Sequence, residues 1–233
     1  MLDQAFEALK SCDWGPSLKT LQPIEDAVVA TYGDDAARKD LEAKLTAALD
    51  GDLSRAGKDF VCRRLRVVGT AACVPALATI LADPDDSHMA RYALESMPVP
   101  EAGKALRDGL SKLSAPQKIG AIGSLGVRQD TDSVPALGKL VGDADAGVAR
   151  AAAFALGDIR TPEAAKALKA GKPSADAKSA VTDASFSCAE QLLEDGKKAE
   201  ALLIYKGLVS DDQPKHVRLA ATRGMLACAG KSG

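Results

Sequence analysis

Aromatic residues are scarce in this chain: four Phe, three Tyr and one Trp make up 3% of its 233 residues. A core must therefore come mainly from Ala, Leu and Val, small side chains that suit closely packed helices. Histidine is scarcer still. The only two, His88 and His216, are not followed by Glu, and a metal centre needs several converging ligands, so both are expected as polar residues at helix starts. The five cysteines, at 12, 62, 73, 188 and 228, are odd in number and lack a Cys-x-x-Cys spacing, which argues against a disulfide framework or a zinc site. Cys62 and Cys188 sit among apolar helical positions and are expected as buried thiols. No run approaches the roughly eighteen apolar residues of a membrane span, and Met1-Leu2-Asp3-Gln4 lacks the start of a signal peptide. The expected compartment is the cytoplasm, with export the alternative if a leader was removed ahead of this numbering. An excess of one charge is missing too: 30 Lys and Arg face 32 Asp and Glu, interspersed, for a net charge of −2. Nucleic acid is not expected as a partner, because neutralising phosphates needs a basic balance or a clustered basic face.

What the chain has is repetition. Val74-Pro75-Ala76-Leu77 returns sixty residues later as Val134-Pro135-Ala136-Leu137, and Pro100-Glu101-Ala102 returns as Pro162-Glu163-Ala164. Leu125-Gly126 and Leu156-Gly157 lie about half that interval apart. A fixed period in this range marks a stacked helical array and favours a binding surface over a catalytic pocket.

Each unit reads as a helical hairpin. Val134, Leu137, Leu140 and Val141 make one stripe at helical spacing; after Gly142-Asp143-Ala144-Asp145 a second follows through Val148, Ala152, Leu156 and Ile159. Pro135 suits a first helical turn, and Gly157 is expected to end the second helix in a left-handed conformation. The copy at 72–99 repeats this grammar around Asp83-Pro84-Asp85-Asp86, and weaker hairpins are expected at 100–127 and 37–69. The prolines fall at helix starts or turns, no alternating strand pattern occurs, and the Ala-rich runs favour helix. The predicted fold is all-α, a right-handed α-solenoid of about six hairpins without β-sheet. Its expected organisation is an N-terminal helical cap at 1–36, regular repeats at 37–170 and further helical repeats at 171–233. The cluster Ala170-Gly171-Lys172-Pro173-Ser174-Ala175 marks a break in the rhythm, with a long helix expected near 176–195.

The Val-Pro-Ala-Leu phrases, with Asp83-Pro84-Asp85 after the first and Val148-Ala149-Arg150-Ala151-Ala152-Ala153-Phe154-Ala155-Leu156-Gly157 after the second, resemble HEAT repeats of the phycobilisome-lyase-like type. The resemblance implies an α-solenoid with second helices lining a concave side, and a role in protein–protein scaffolding. Gly196-Lys197-Lys198-Ala199-Glu200-Ala201-Leu202-Leu203-Ile204-Tyr205 resembles the turn and second-helix start of a tetratricopeptide repeat. The family often places Arg directly after the Val of a second helix, where it can bond a turn Asp. Val217-Arg218 keeps that order, whereas Arg91 and Arg150 come one residue late, about 100° around the helix. A regular Asp–Arg ladder is therefore not expected. A HEAT-type metalloenzyme such as deoxyhypusine hydroxylase needs several His-Glu pairs, which are absent here.

No catalytic set can be assembled. Gly120, Gly123 and Gly126 fit neither a dinucleotide loop nor a nucleophile elbow and are expected to permit close helix contact. Gly230-Lys231-Ser232 has no helix to follow it and reads as a frayed tail. Asp83, Asp85, Asp86, Asp143 and Asp145 belong in turns, as caps of the next helix. What remains is a set of basic and aromatic residues on second helices: Arg63, Arg91, Tyr92, Arg150 and Arg218, with Arg64, Arg66 and Lys118 beside them. Arg and Tyr are frequent interface anchors, so these are the expected contacts to an acidic or extended protein partner; the alternative is that they lie over small helices and pair with nearby acids. The expected function is a non-catalytic scaffold or adaptor without cofactor or metal, monomeric or self-associating end to end. The alternatives are a fragment or accessory module of a larger, possibly exported, multi-repeat protein or enzyme assembly, and a chromophore-lyase-like accessory protein.

Overall fold

The computed structural model describes residues 1–230, and the side chains of all of these but 16–18; Lys231 and Ser232 of the expected tail lie outside the described residues. Among the described residues there are fourteen α-helices and no strand. They are α1 Leu2–Ala8, α2 Gln22–Ala30, α3 Asp35–Leu49, α4 Arg55–Val68, α5 Val74–Leu81, α6 Ser87–Ser96, α7 Pro100–Gly109, α8 Ala115–Val127, α9 Val134–Leu140, α10 Ala146–Ile159, α11 Pro162–Ala170, α12 Lys178–Glu194, α13 Lys198–Gly207 and α14 Lys215–Cys228. Among these residues no helix is long and apolar enough to cross a membrane. Helices pair in chain order, as in a stacked helical array. The chain divides into two compact units, Met1–Ser124 and Leu125–Gly233.

In the first unit, α3 packs on α4 and α5 on α6 as hairpins, while α4 lies against α6 and α5 against α7, so first and second helices form separate layers. The buried stripe of α5, Val74, Leu77, Ile80 and Leu81, meets Met89, Ala90, Ala93 and Leu94 of α6. Removing each such Leu or Ile from water contributes about 1.5–3 kcal/mol. Met97 lies one residue beyond α6 yet is fully buried. The N-terminal helix joins through a close backbone approach at Gly57, where a Cβ would stand 2.2 Å from the Leu9 carbonyl oxygen. Ser54, the N-cap of α4, accepts from the Gly57 N–H at 3.0 Å and donates towards the carbonyls of Leu9 at 3.1 Å and Cys12 at 2.7 Å.

In the second unit, α9 packs on α10 and α11, and α10 on α12. Both helices bury small residues, Ala149, Ala152 and Ala153 on α10 and Ala180, Ala184 and Cys188 on α12. Gly157 corrects the expectation for it. It lies inside α10, its missing Cβ leaving room for Ala184, whose Cα would be 2.9 Å away. The helix runs on to Ile159, and Arg160 takes the left-handed position at φ 56°. The preceding hairpin does the same after α8, at Gln129, φ 50°, three residues beyond Gly126.

The sixty-residue repeat is visible atom by atom. Short 3-10 turns at Ala71–Cys73 and Thr131–Ser133 lead into α5 and α9. In these turns the Cys73 thiol donates to the Thr70 carbonyl and the Ser133 hydroxyl to the Asp130 carbonyl. Asp83 and Asp143 each accept a backbone N–H, from Asp85 and Asp145 respectively, both at 2.9 Å. Pro23, Pro75, Pro100, Pro135 and Pro162 all sit in first helical turns, where a missing N–H costs nothing.

Candidate binding surfaces

In the first unit, α4 buries Phe60, Val61, Leu65 and Val68 and turns Asp59, Arg63 and Arg66 outward. Its neighbour α6 presents Tyr92 and Ser96, one turn apart. The Tyr92 ring stands 4.9 Å from the Arg63 guanidinium carbon and 4.6 Å from that of Arg66, with Arg66 donating to the Tyr92 hydroxyl at 2.5 Å and to the Ser96 hydroxyl at 2.8 Å. Each cation–aromatic contact at such an exposed place is worth about 0.5–1 kcal/mol. Arg63 is matched by Asp59 at 2.8 Å, and that hydrogen bond leads the causes that raise its pKa above the ordinary arginine value. Among the described residues the partners of Arg66 are neutral hydroxyls and a ring, so its charge is oriented without a carboxylate to neutralise it. Tyr92 keeps 40% of its surface in solvent.

The other basic residues fall elsewhere. Arg91, half-buried, lies over α8 and donates to the Gly120 carbonyl at 3.4 Å, away from the Tyr92 cluster. Arg64 packs on Phe60 and pairs with Glu25 of α2. In the second unit, Arg150 is exposed on α10, and Arg218 on α14 pairs with Asp211 at 3.0 Å. Among the described residues α10 and α14 do not pack on each other.

The turn aspartates are capping and bracing residues, with one change of role. Asp145 caps α10 by accepting the Val148 N–H at 3.0 Å, as expected. The Asp83 carboxyl is held below the usual range by the N–H groups of Asp86 and Asp85. Asp86 does not cap α6 with its side chain: its buried carboxylate accepts from Arg55 at 3.3 Å and Lys58 at 2.8 Å, both from α4. A turn aspartate is thus braced here from the preceding hairpin, by Arg55 and Lys58 and not by the Arg position of its own second helix. Asp86 draws up the Lys58 pKa chiefly through that hydrogen bond.

Cys62, Cys73 and Cys188 are fully buried and burial pushes each thiol up to about 12, so they are packing groups rather than nucleophiles. His88 and His216 are exposed second residues of α6 and α14.

The second unit also holds an open groove of about 1030 Å³ that the sequence did not announce. Its floor is α12, through Val181, Thr182 and Leu192; its walls are α11 on one side and α13 with the start of α14 on the other. It exists because α11 and α13 do not pack together as α9 and α11 do, among the described residues. The segment 171–177 between α11 and α12 is the break seen in the sequence, and Gly196, at φ 76°, makes the turn into α13.

Compared with known proteins, residues 103–185 match the family model of HEAT repeats. Over that stretch the chain is similar to HEAT repeats. The match runs from α7 into α12, a little over a third of the chain, and takes in the second Val-Pro-Ala-Leu copy together with one wall of the groove. Proteins built of such repeats generally act by binding other proteins. The sequence matches none of the curated proteins compared with it.

Proposed function

We propose that this protein is a non-catalytic interaction module whose first unit recognises an acidic, extended protein segment through Arg63, Arg66 and Tyr92. The observation that carries this reading is the Arg66 guanidinium, fixed by Tyr92 and Ser96 and matched by no carboxylate among the described residues. A guanidinium already oriented loses less side-chain entropy on binding, and its planar fork suits a bidentate carboxylate. Tyr92 adds a flat apolar surface beside it. The cluster lies on adjacent second helices, the face the family resemblance assigns to binding. Arg91, Arg150 and Arg218 stand outside this cluster, and the reading gives them no contact with the segment.

Titration of a fluorescent, Asp- and Glu-rich extended peptide tests this. Arg66→Ala and Tyr92→Ala should each weaken binding about 5- to 30-fold, the size of an interface anchor, and added salt should weaken it further. Equal affinity for both variants and the parent would sink the proposal.

A second reading, end-to-end self-association through α14, is favoured by Leu219 and Leu226, which are 55% and 42% exposed on that helix although its other side packs on α13. Light scattering over a concentration series decides it: a mass that stays at one chain rejects self-association.

A further inference from the structure

The groove of the second unit has a chemistry of its own. Its floor and one lip are apolar, with Val181 and Ile204 half-buried and Leu203 68% exposed. The charges of its rim are sorted. Lys166 and Lys169 of α11 and Lys178 at the start of α12 stand on one side; Glu200 of α13 and Asp212 before α14 stand on the other, with Asp183 on α12 between them. Among the described residues none of the three lysines is paired with a carboxylate, whereas Lys10, Lys44, Lys58 and Lys104 each hold one. Exposed lysines beside an apolar trough without counter-charges leave the matching carboxylates to an incoming partner. Lys178 also stands at the N-terminus of a seventeen-residue helix, whose dipole adds to the same sign.

The shape selects the kind of partner. First-layer helices α9 and α11 pack side by side, but the next step, α11 to α13, is open over α12, and the groove occupies that place in the layer. A helix about 10 Å across would fill a volume of about 1030 Å³ over roughly 13 Å, or about nine residues. We infer that this groove binds an amphipathic α-helix of a partner protein, laid between α11 and α13 with its apolar stripe on α12 and carboxylates along the edge facing Lys166, Lys169 and Lys178. The site is independent of the Arg63–Tyr92–Arg66 cluster, and either could exist without the other.

The test uses two synthetic helical peptides with the same Leu stripe at i, i+3, i+4 and i+7. One carries Glu on its flank, the other Lys. The whole protein should bind the Glu probe saturably below about 100 μM and more tightly than the Lys probe. Lys166→Glu, Lys169→Glu and Lys178→Glu combined should weaken the Glu probe about tenfold or more and improve the Lys probe. Leu203→Asp should weaken both. Lys112→Glu, at an exposed lysine of the first unit that lines neither surface, should change neither, which separates an effect of the groove from one of net charge. All the substituted residues are exposed, so circular dichroism should show an unchanged helical fold. The inference is overturned if the Glu probe does not bind in that range, if its affinity ignores both the lysine reversals and Leu203→Asp, or if light scattering shows the groove closed by a second copy that Leu203→Asp releases.

Discussion

Alanine placed singly at the three glycines of α8 should give three different answers. The helix propensity gain is common to all, about 0.8–1 kcal/mol for Gly to Ala in a helix interior. At Gly123 a Cβ meets nothing within 4 Å, so the gain is kept in full. The variant should be more stable by about 1 kcal/mol, a rise in Tm of roughly 2–4 °C for a chain of this size. At Gly120 the new Cβ would fall 2.5 Å from Arg91 Nε, the mobile end of a long side chain. Arg91 swings away and gives up its weak 3.4 Å bond to the Gly120 carbonyl, so gain and loss nearly cancel, within about 0.5 kcal/mol. At Gly126 the Cβ would stand 2.9 Å from Ala155 Cα, and a backbone held in a packed helix cannot step aside. Overpacking costs about 1–3 kcal/mol and outweighs the propensity gain, for a net loss of about 1 kcal/mol. Urea denaturation of the three variants beside the parent measures all of this. Gly126→Ala as stabilising as Gly123→Ala would refute the close helix approach, and a destabilising Gly123→Ala would refute the packing around α8.

Arg160→Gly should stabilise the protein by about 0.5–1 kcal/mol, since glycine adopts the left-handed C-cap of α10 without the strain a side chain meets there; a lower urea midpoint would contradict it. Ser54→Ala removes the N-cap of α4 and the hydrogen bonds to the Leu9 and Cys12 carbonyls, and should cost about 1–2 kcal/mol by the same assay. Because burial raises Cys62, Cys73 and Cys188 from 9.0 to about 12, the folded state holds their protons longer than the unfolded one. Their contribution is complete below pH 9.0 and is lost as pH climbs towards 12, at up to about 1.4 kcal/mol per pH unit for each thiol. Urea midpoints should therefore fall above pH 9.0, more gently in Cys188→Ala, and at pH 8 a thiol-reactive chromophore should label these three only after unfolding.

The fold was written plainly in this sequence because the repeat acts at every level. Val74-Pro75 and Val134-Pro135 mark helix starts by a local rule, and their apolar stripes point to the same two-layer packing. Contacts within one turn were legible too, as with the Asp145 cap. What escaped were choices made between helices. Gly157 looks like a helix stop in the sequence; only the closeness of Ala184 shows that it is a contact point, with the stop at Arg160. Asp86 has the composition of a cap, but Arg55 and Lys58 claim its carboxylate from thirty-odd and twenty-eight residues away. Of the basic and aromatic set, Arg63 and Tyr92 do meet, while Arg91 turns to Gly120 because one residue along a helix redirects a side chain by about 100°. The groove left one trace, the lapse of rhythm at Ala170–Ala175. Lys166, Lys169 and Lys178 gain their meaning only when α11 and α13 are seen to part.

The central claim is that this repeat protein works by binding another protein through the Arg63–Tyr92–Arg66 face. Its most direct test is affinity capture from a native extract with chemical crosslinking and mass spectrometry, run side by side on the parent and an Arg63→Glu, Arg66→Glu variant shown to be folded. The account predicts a protein crosslinked near α4 and α6 through an acidic segment, and its loss from the variant. The same protein recovered equally by both, crosslinked elsewhere, would contradict it.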